Sequence, residues 1–336
     1  MSLECEFQYL ACIKEHSSFA MCHASNLLKL HDGSILTVFF AGSYEGACDT
    51  AIYACRALEG QSSQCKKIAS GSEAHWNPVL FLPDEKNDQE IVLFYKVGNV
   101  IASWQTMVMR SHDGGLTWDH SEELVAGDRG GRGPVRNKAI RISSGAILCP
   151  ASLENGPWRS FLDISLDNLK TLTKSAEILY SEDGDFKPID RDIEVSLQSF
   201  SGKGVIQPTI WEDEAGVHVL MRSTFGKVIR ADSLDGGYTF SKAYPVNMPN
   251  NNSGLDAVFT HGRLYLVCNP ISGNWGKRSP LSLYSSIDGI NFKEEAILAD
   301  AEGEFSYPCI RAVENNLYIS YTYFRKNIAI AKFTIK

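Results

Sequence analysis

The sequence predicts an all-β protein folded as a six-bladed β-propeller. Short runs of apolar, β-branched and aromatic residues recur at a spacing of roughly 57 residues, each after a turn and a shorter segment that begins with polar residues. No 3.6-residue periodicity is long enough for a substantial helix. A period above ~40 residues with about four strands per repeat is typical of a propeller blade rather than a solenoid. The runs are Ile35–Phe40, Ile91–Tyr95, Ala146–Cys149, Val217–Met221, Leu264–Cys268 and Leu317–Tyr321.

A second repeat follows the same spacing. Ser111–Trp118 matches the Asp box, S-x-D-x-G-x-T-W, and Ser233–Phe240 nearly repeats it, whereas Ser286–Phe292 is weaker and Ser165–Thr171 is degenerate. The motif is typical of a hairpin turn, because the aspartate accepts backbone N–H bonds, glycine supplies a positive φ and the aromatic residue packs between strands. The Asp boxes therefore predict a fold and no chemistry.

The chain is expected to form one domain over residues 1–336. An N-terminal strand at about Glu4–Ile13 would pair into the blade formed by the C-terminus and close the ring. The long step between the third and fourth apolar runs predicts an insertion around Ser181–Lys203, which is polar and acidic. We expect that insertion to be a loop.

Composition excludes several classes of function. With 32 Lys and Arg against 40 Asp and Glu the net charge is −8, so duplex nucleic acid is not an expected partner. No apolar run approaches the ~20 residues that span a bilayer, and the first residues lack the pattern of a signal peptide. The 9 cysteines form no CxxC pair, which favours free thiols in a reducing, cytoplasmic compartment, although the sequence also allows a structural disulfide that no motif marks. No zinc-binding, serine-hydrolase or phosphate-loop motif occurs, so no metal or organic cofactor is expected.

Several segments resemble one family. The Asp boxes, together with Gly42–Gly46, Trp76–Phe81, Tyr95–Gly98 and Asn252–Val258, resemble the sialidase (neuraminidase) superfamily, and within it the bacterial proteins usually called predicted neuraminidases. The resemblance covers nearly the whole chain and implies a six-bladed propeller. It raises the expectation of a glycan-directed activity without specifying one.

The blade starts predict a polar pocket. The innermost strands of a propeller begin around the central channel, so their first residues converge from distant points in the sequence. Bulky polar groups at so many strand starts favour a pocket for a small polar ligand. The residues placed in this ring are His23, Trp76, Asn77, Arg136, Lys138, Gln207, Asp256 and Tyr307.

The resemblance implies roles for three residues. Sialidases hold a substrate carboxylate with three arginines and attack with a tyrosine that a glutamate assists, while an aspartate protonates the leaving group. Arg222 in Met221–Gly226 and Arg278 in Gly276–Leu281 resemble segments that carry two of those arginines. Tyr307 opens the sixth blade, where the nucleophile belongs. A neutral tyrosine approaches an anionic sugar without the repulsion that a carboxylate would meet.

Other positions depart from the family pattern. His23 stands where the first arginine is expected, and Gln207 where the assisting glutamate is expected. Glu45 and Asp49 are both candidates for the proton donor, and Asp256 is a candidate base. Further candidates for the ligand site are Lys138 or Arg136 to complete the carboxylate clamp, Trp76 and Trp158 to stack on a sugar ring, and Lys96.

The predicted function is a sialidase-like exo-glycosidase that removes a terminal acidic sugar with retention. Two alternatives stay open: another carbohydrate-active enzyme, a glycosidase or lyase for uronic-acid-containing glycans with His23 and Tyr307 as acid and base, and a glycan-binding propeller without catalysis. The His23 substitution favours the first alternative over a standard sialidase. The expected partner is a small carbohydrate or glycan, with no nucleic acid and no membrane.

Overall fold

The chain is an all-β ring of six four-stranded antiparallel sheets, as the sequence predicts. The computed structural model describes residues 2–13, 19–129, 131–154, 157–180 and 202–336. Within these ranges the helical content is one short 3₁₀ turn at Ile101–Ser103, and no helix has the length and apolar character needed to cross a membrane.

The first three blades follow the chain, each from an inner to an outer strand. Blade one contains β2 (Met21–Lys29), β3 (Ser34–Gly42), β4 (Ala51–Leu58) and β5 (Lys66–Ala69). Blade two contains β6 (His75–Phe81), β7 (Ile91–Val97), β8 (Gln105–Ser111) and β9 (Glu122–Glu123). Blade three contains β10 (Ile140–Arg141), β11 (Ile147–Leu153), β12 (Arg159–Ser165) and β13 (Thr173–Lys174).

The last three blades complete the ring. Blade four contains β14 (Val205–Asp213), β15 (Gly216–Ser223), β16 (Lys227–Ser233) and β17 (Tyr244–Pro249). Blade five contains β18 (Asp256–Thr260), β19 (Arg263–Cys268), β20 (Leu281–Ser286) and β21 (Lys293–Ala299). Blade six contains β22 (Phe305–Val313), β23 (Asn316–Tyr323), β24 (Asn327–Ile335) and the N-terminal strand β1 (Leu3–Leu10).

The repeated apolar runs are the second strands of the blades. Each second strand is flanked by strands on both edges and by neighbouring blades on both faces, so it is buried almost throughout. This double burial explains why these strands are continuously apolar instead of alternating. The core is thereby divided into clusters between adjacent blades.

The Asp boxes form tight turns between strands. In the first, the Asp113 carboxylate accepts hydrogen bonds from the backbone N–H groups of Leu116 and Thr117, at 3.0 and 2.9 Å, and from the Thr117 hydroxyl at 2.6 Å. Gly114 and Gly115 have φ values of 69° and 84°, which glycine adopts without a steric penalty. The boxes stabilise the blades far from the inner strand starts.

The N-terminal strand belongs to the last blade. β1 pairs antiparallel with β24, with Leu3 opposite Ile335 and Leu10 opposite Ala329. Of the predicted insertion around Ser181–Lys203, residues 181–201 lie outside the described residues.

The prediction of free thiols is wrong for Cys55 and Cys65, which form a disulfide. Ala54 of β4 pairs with Lys66 of β5, so the antiparallel register places Cys55 directly opposite Cys65. Sequence reasoning missed the bond because it treated each cysteine separately from the strand register. Cys12, Cys22, Cys149, Cys268 and Cys309 are buried free thiols, and Cys5 and Cys48 are exposed.

Candidate functional site

A cavity of about 310 Å³ lies where the inner strands begin. It combines three arginines, two carboxyl groups, a tyrosine and four tryptophans, a composition suited to an anionic ligand that also has an apolar face. Its lining residues are Glu45, Trp76, Asn77, Ile101, Trp104, Glu154, Trp158, Ile206, Gln207, Arg222, Trp275, Arg278, Tyr307 and Arg325. A wider cavity of about 620 Å³ lies at the far ends of the same inner strands.

A repeated β-bulge directs inner-strand side chains into the cavity. The pairing register shifts after the second residue of β6, β14 and β22, and the bulged residues Asn77, Gln207 and Tyr307 have φ values of 44°, 55° and 52°. Proline follows each of them, and it is tolerated here because a bulge leaves a backbone position that makes no ladder hydrogen bond. Residues other than glycine rarely hold a positive φ, and such strain concentrates at functional sites.

Tyr307 is surrounded by cations. Arg222 donates a hydrogen bond from Nη1 to the Tyr307 hydroxyl oxygen at 2.8 Å. The guanidinium carbons of Arg136, Arg278 and Arg222 lie 5.1, 5.3 and 5.7 Å from the centroid of the tyrosine ring. Negative charge that develops on the phenol oxygen during a reaction is therefore stabilised by this arrangement.

Arg222 is held by neutral acceptors. Its Nε donates to Asn252 Oδ1 at 3.0 Å and its Nη1 donates to Gln207 Oε1 at 3.2 Å. Only 2% of Arg222 is exposed. Within the described residues its side-chain hydrogen bonds go to amides, a carbonyl and a phenol rather than to a carboxylate, so no carboxylate among them pairs directly with its charge.

Arg278 and Arg325 share one carboxylate. Arg278 Nη1 lies 2.7 Å from Glu304 Oε1, and Arg325 Nε lies 2.7 Å from Glu304 Oε2. Burial raises the pKa of Glu304, but the cations Arg278 and Arg325 lower it more, so its net pKa falls well below the usual range. Glu304 therefore stays ionised and fixes both guanidinium groups at the cavity wall.

Arg325 also forms an ion pair with Glu45. Arg325 Nη1 lies 2.5 Å from Glu45 Oε2 at the edge of the cavity. Burial alone lowers the pKa of Arg325, but Glu45 and Glu304 raise it above its ordinary value. Sequence reasoning missed Arg325 because it lies in the β23–β24 turn and not at a strand start. Its φ of 53°, after 54° at Phe324, lies in the left-handed region that residues other than glycine and asparagine rarely adopt.

Glu154 is a second carboxyl group that sequence reasoning missed. It follows β11, is 7% exposed, and accepts a hydrogen bond from Gln207 Nε2 at 3.2 Å. Burial raises the pKa of its carboxyl group. The site thus has a buried carboxyl group beside Gln207, the position where the family pattern has glutamate. No repeat or motif marks Glu154 in the sequence.

Tryptophan rings line the remaining walls. The rings of Trp76 and Trp104 are 6.0 Å apart in an edge contact, and Trp76 Nε1 donates to Gly98 O at 2.9 Å. Across the cavity, the Arg278 guanidinium lies 5.7 Å from the Trp275 ring. Trp158 completes the aromatic lining, as the sequence suggested for this residue and Trp76. These faces are suited to the C–H groups of a sugar ring.

Two predicted residues lie beneath the cavity. His23 is fully buried, its Nδ1 is 2.9 Å from the Thr322 hydroxyl, and its ring centroid is 4.3 Å from that of Tyr307. Burial and neighbouring Arg325 lower the pKa of His23 well below its ordinary value, so it is neutral. Arg136 donates to the carbonyls of Leu255 and Pro308, at 3.2 and 2.5 Å, behind the tyrosine ring. Neither residue lines the cavity.

Four other candidates are engaged elsewhere. Asp49 accepts hydrogen bonds from the backbone and hydroxyl of Ser43, which lower its pKa and make it a turn cap. Asp256 is buried and paired with Lys138 at 2.7 Å, and Lys138 lines the wider cavity instead. Lys96 donates to the Thr106 hydroxyl and lies 5.8 Å from the Trp104 ring; burial lowers its pKa to about 8.

Comparison with known proteins agrees with this architecture. A family model described as a BNR repeat-like domain matches residues 33–319, and no curated protein sequence matches the chain. A protein of unknown function from Dyadobacter fermentans has a similar structure over 100% of both chains, with 16% identity and a TM-score of 0.77.

Two sialidase structures are also similar. A Hadza microbial sialidase matches with 15% identity and a TM-score of 0.72, over 96% of this chain and 68% of its own. Trypanosoma rangeli sialidase in complex with the inhibitor DANA matches with 12% identity and a TM-score of 0.68, over 93% of this chain and 55% of its own. The chain thus spans about half of the trypanosomal protein, and the likeness confirms the predicted sialidase-type propeller fold.

Proposed function

The chain belongs to the BNR repeat-like domain family, and we propose that it is a sialidase-like glycoside hydrolase that removes a terminal acidic sugar from a glycan. One observation carries the proposal: Arg222 donates a hydrogen bond to the Tyr307 hydroxyl in a cavity that Arg278 and Arg325 also line. The sialidase structures named above support it at the level of fold.

The substrate carboxylate binds to Arg222, Arg278 and Arg325. Arg325 supplies the third guanidinium from the β23–β24 turn, whereas the family pattern places that arginine where His23 stands. Glu45 forms an ion pair with Arg325, and the carboxylate of the substrate takes the place of Glu45 on this guanidinium group. Exchange of one carboxylate for another conserves the charge of the site, and bidentate geometry favours arginine over lysine for this purpose.

Displacement prepares Glu45 to act as the acid. Glu45 then donates its proton to the leaving-group oxygen as the glycosidic bond breaks. The exposed edge of the cavity, where Glu45 lies, is where a leaving alcohol can depart.

Tyr307 attacks the anomeric carbon and forms a covalent glycosyl–tyrosine bond. Its phenol proton passes to Glu154, directly or through one water, in place of the glutamate that the family pattern has at Gln207. Water then attacks the same carbon, Glu45 accepts its proton, and the phenol oxygen recovers its own from Glu154. Each of the two displacements inverts the configuration at the anomeric carbon, so the two together retain it.

The buried position of His23 disfavours the alternative that assigns it an acid–base role. Its Nδ1 faces Thr322 and its ring packs on Tyr307 and Phe40, outside the cavity lining. A glycosidase for other acidic sugars can still use the arginine clamp without His23. A propeller that only binds glycans is the remaining alternative, and the experiment below distinguishes it.

The test compares Tyr307→Phe with wild type on a panel of aryl glycosides that includes sialosides and uronides. Tyr307→Phe is expected to lower kcat by on the order of 10²–10⁴-fold, the usual scale for a lost catalytic group, while ligand affinity persists. Tyr265→Phe is the matched control, since Tyr265 is a buried tyrosine on β19 outside the cavity lining. Wild-type kcat in Tyr307→Phe contradicts the nucleophile assignment, and binding without turnover by wild type supports the glycan-binding alternative.

A further inference from the structure

Three sulfur atoms from separate segments meet between blade six and blade one. Cys12 follows β1, Cys55 lies in β4, and Cys65 immediately precedes β5. Cys12 Sγ is 3.5 Å from Cys55 Sγ, and Cys55 forms the disulfide with Cys65. The three sulfur atoms all lie within 4.8 Å of one another. Across the described residues this is the one such group of His, Cys, Asp and Glu ligand atoms.

Hydrogen bonds of the backbone at residues 11–13 hold the Cys12 segment against blade six and against the loop before Cys65, independently of the sulfur atoms. Cys12 N donates to Asn327 Oδ1 at 3.1 Å, and Asn327 Nδ2 donates to Cys12 O at 3.0 Å. On the other side, Ser63 N donates to Ala11 O at 2.9 Å and Ile13 N donates to Ser63 O at 3.0 Å. We therefore expect the three sulfurs to remain neighbours when the disulfide is reduced.

We propose that Cys12, Cys55 and Cys65 form, in the reduced protein, a three-thiolate binding site for one thiophilic divalent ion of the Zn²⁺ type. Thiolates about 2.3 Å from a tetrahedral zinc ion lie about 3.8 Å apart. Cys12 and Cys55 are already near this spacing at 3.5 Å, whereas the sulfur atoms of Cys55 and Cys65 reach it only by moving apart after their bond is reduced. Cys12 and Cys55 are buried and Cys65 is partly exposed, so the site is reached from the Cys65 residue.

The chemistry requires a dithiol reductant before the ion binds. The dithiol is oxidised to its own disulfide and delivers two electrons and two protons, which convert the Cys55–Cys65 bond into two thiols. Zn²⁺ then displaces one proton from each of the three thiols and forms three Zn–S bonds, and the three protons leave to solvent. Disulfide and metal site are therefore mutually exclusive states of the same cysteines.

The bound ion links parts of the chain that the disulfide does not. The disulfide joins residues of one blade that are 10 positions apart. The ion adds Cys12 and so ties the segment after β1 to blade one, next to the place where β1 completes blade six. We expect it to stabilise the ring without touching the cavity residues, a role distinct from the proposed hydrolase activity.

The experiment measures zinc binding by the full-length protein after reduction, with the thiol content counted before zinc is added. Reduced wild type is expected to bind one Zn²⁺ per chain, and the oxidised protein none at this site. Cys12→Ser is expected to weaken zinc affinity at least 100-fold, whereas Cys5→Ser, which alters an exposed cysteine on β1, leaves it unchanged. Zinc should raise the Tm of wild type and of Cys5→Ser but not that of Cys12→Ser.

Three results overturn the proposal: no stoichiometric zinc binding by reduced wild type, equal zinc affinity in Cys12→Ser, or a disulfide that resists reduction while the protein stays folded. Cobalt substitution in wild type provides a second measurement should Cys12→Ser not fold. Thiolate-to-cobalt charge-transfer bands with an intensity matching three sulfur ligands support the site, and their absence overturns it.

Discussion

Replacing Arg325 with alanine tests the carboxylate clamp at the position that the sequence pattern does not mark. Its side chain is 25% exposed and forms ion pairs of 2.5 Å with Glu45 and 2.7 Å with Glu304. The variant leaves Glu304 paired with Arg278, whose Nη1 is 2.7 Å away, so the wall of the cavity keeps one charge-balanced pair. What disappears is one of the three guanidinium groups proposed to receive the substrate carboxylate.

The expected loss follows from burial. Removing one partner of a desolvated charge pair costs about 2–5 kcal/mol, and a quarter-exposed group with two remaining arginines belongs at the lower end. A cost of about 2–3 kcal/mol in transition-state binding corresponds to a decrease of about 30- to 160-fold in kcat/KM. Arg325→Lys should recover part of this loss, because it restores the charge but not the bidentate geometry.

The assay compares kcat/KM for an acidic substrate with that for its carboxamide analogue. Arg325→Ala should lower the first by the stated amount and the second by much less, because the carboxamide does not use the positive charge. Glu45→Gln is the companion variant: it leaves Arg325 in place but removes the proposed proton donor, so it should lower kcat/KM for both substrates alike. Equal losses on both substrates, or no loss on the acidic one, would refute the clamp at Arg325.

Further predictions follow from the buried groups and the bulges. Glu154→Gln should lower turnover about 10- to 100-fold and yet raise the free energy of unfolding at pH 8. Burial raises the pKa of Glu154 above its unfolded value of about 4.5, so ionisation of this carboxyl group at higher pH destabilises the folded protein. Turnover and denaturant unfolding measure the two effects, and unchanged stability contradicts the second. Since burial lowers the pKa of His23, the free energy of unfolding should fall by up to ~1.4 kcal/mol for each unit that the pH drops below about 6.5. The fall should be shallower in His23→Asn. Equal pH dependence of wild type and His23→Asn in denaturant titrations argues against this role of His23. Ala24 has a φ of 53° at the corresponding bulge of β2. Ala24→Gly should change the free energy of unfolding by no more than about 1 kcal/mol, whereas Ala24→Val should lower it by about 2 kcal/mol or more. Equal stabilities of the two variants would show that the backbone is not strained there.

The fold was predictable because its signals are repeated. A run such as Ile91–Tyr95 is apolar on both faces because neighbouring blades cover it, and this burial recurs once per blade. The Asp-box turn at Asp113 is equally local, since the donors to its carboxylate lie within four residues. Periodicity and local turn chemistry are read directly from a sequence.

The cavity was predictable only in part. Asn77, Gln207 and Tyr307 lie at strand starts, so blade geometry alone places them together. Arg325 lies in the β23–β24 turn, and Glu154 follows β11, the second strand of blade three. Where these side chains point depends on turn conformation and on packing between blades. Lys138 and Asp256 also lie near strand starts, yet they pair with each other because a buried charge needs a partner.

The proposed site draws its groups from around the ring: Glu45 from blade one, Trp76 from blade two, Glu154 from blade three, Arg222 from blade four and Tyr307 from blade six. A small tilt of any blade shifts one group relative to all the others, while the sheets themselves remain intact. Catalytic activity should therefore be a more sensitive reporter of mild denaturation than circular dichroism. Inactivation at denaturant concentrations that leave the β-sheet signal unchanged would indicate that contacts between blades loosen before the hydrogen bonds within each sheet break.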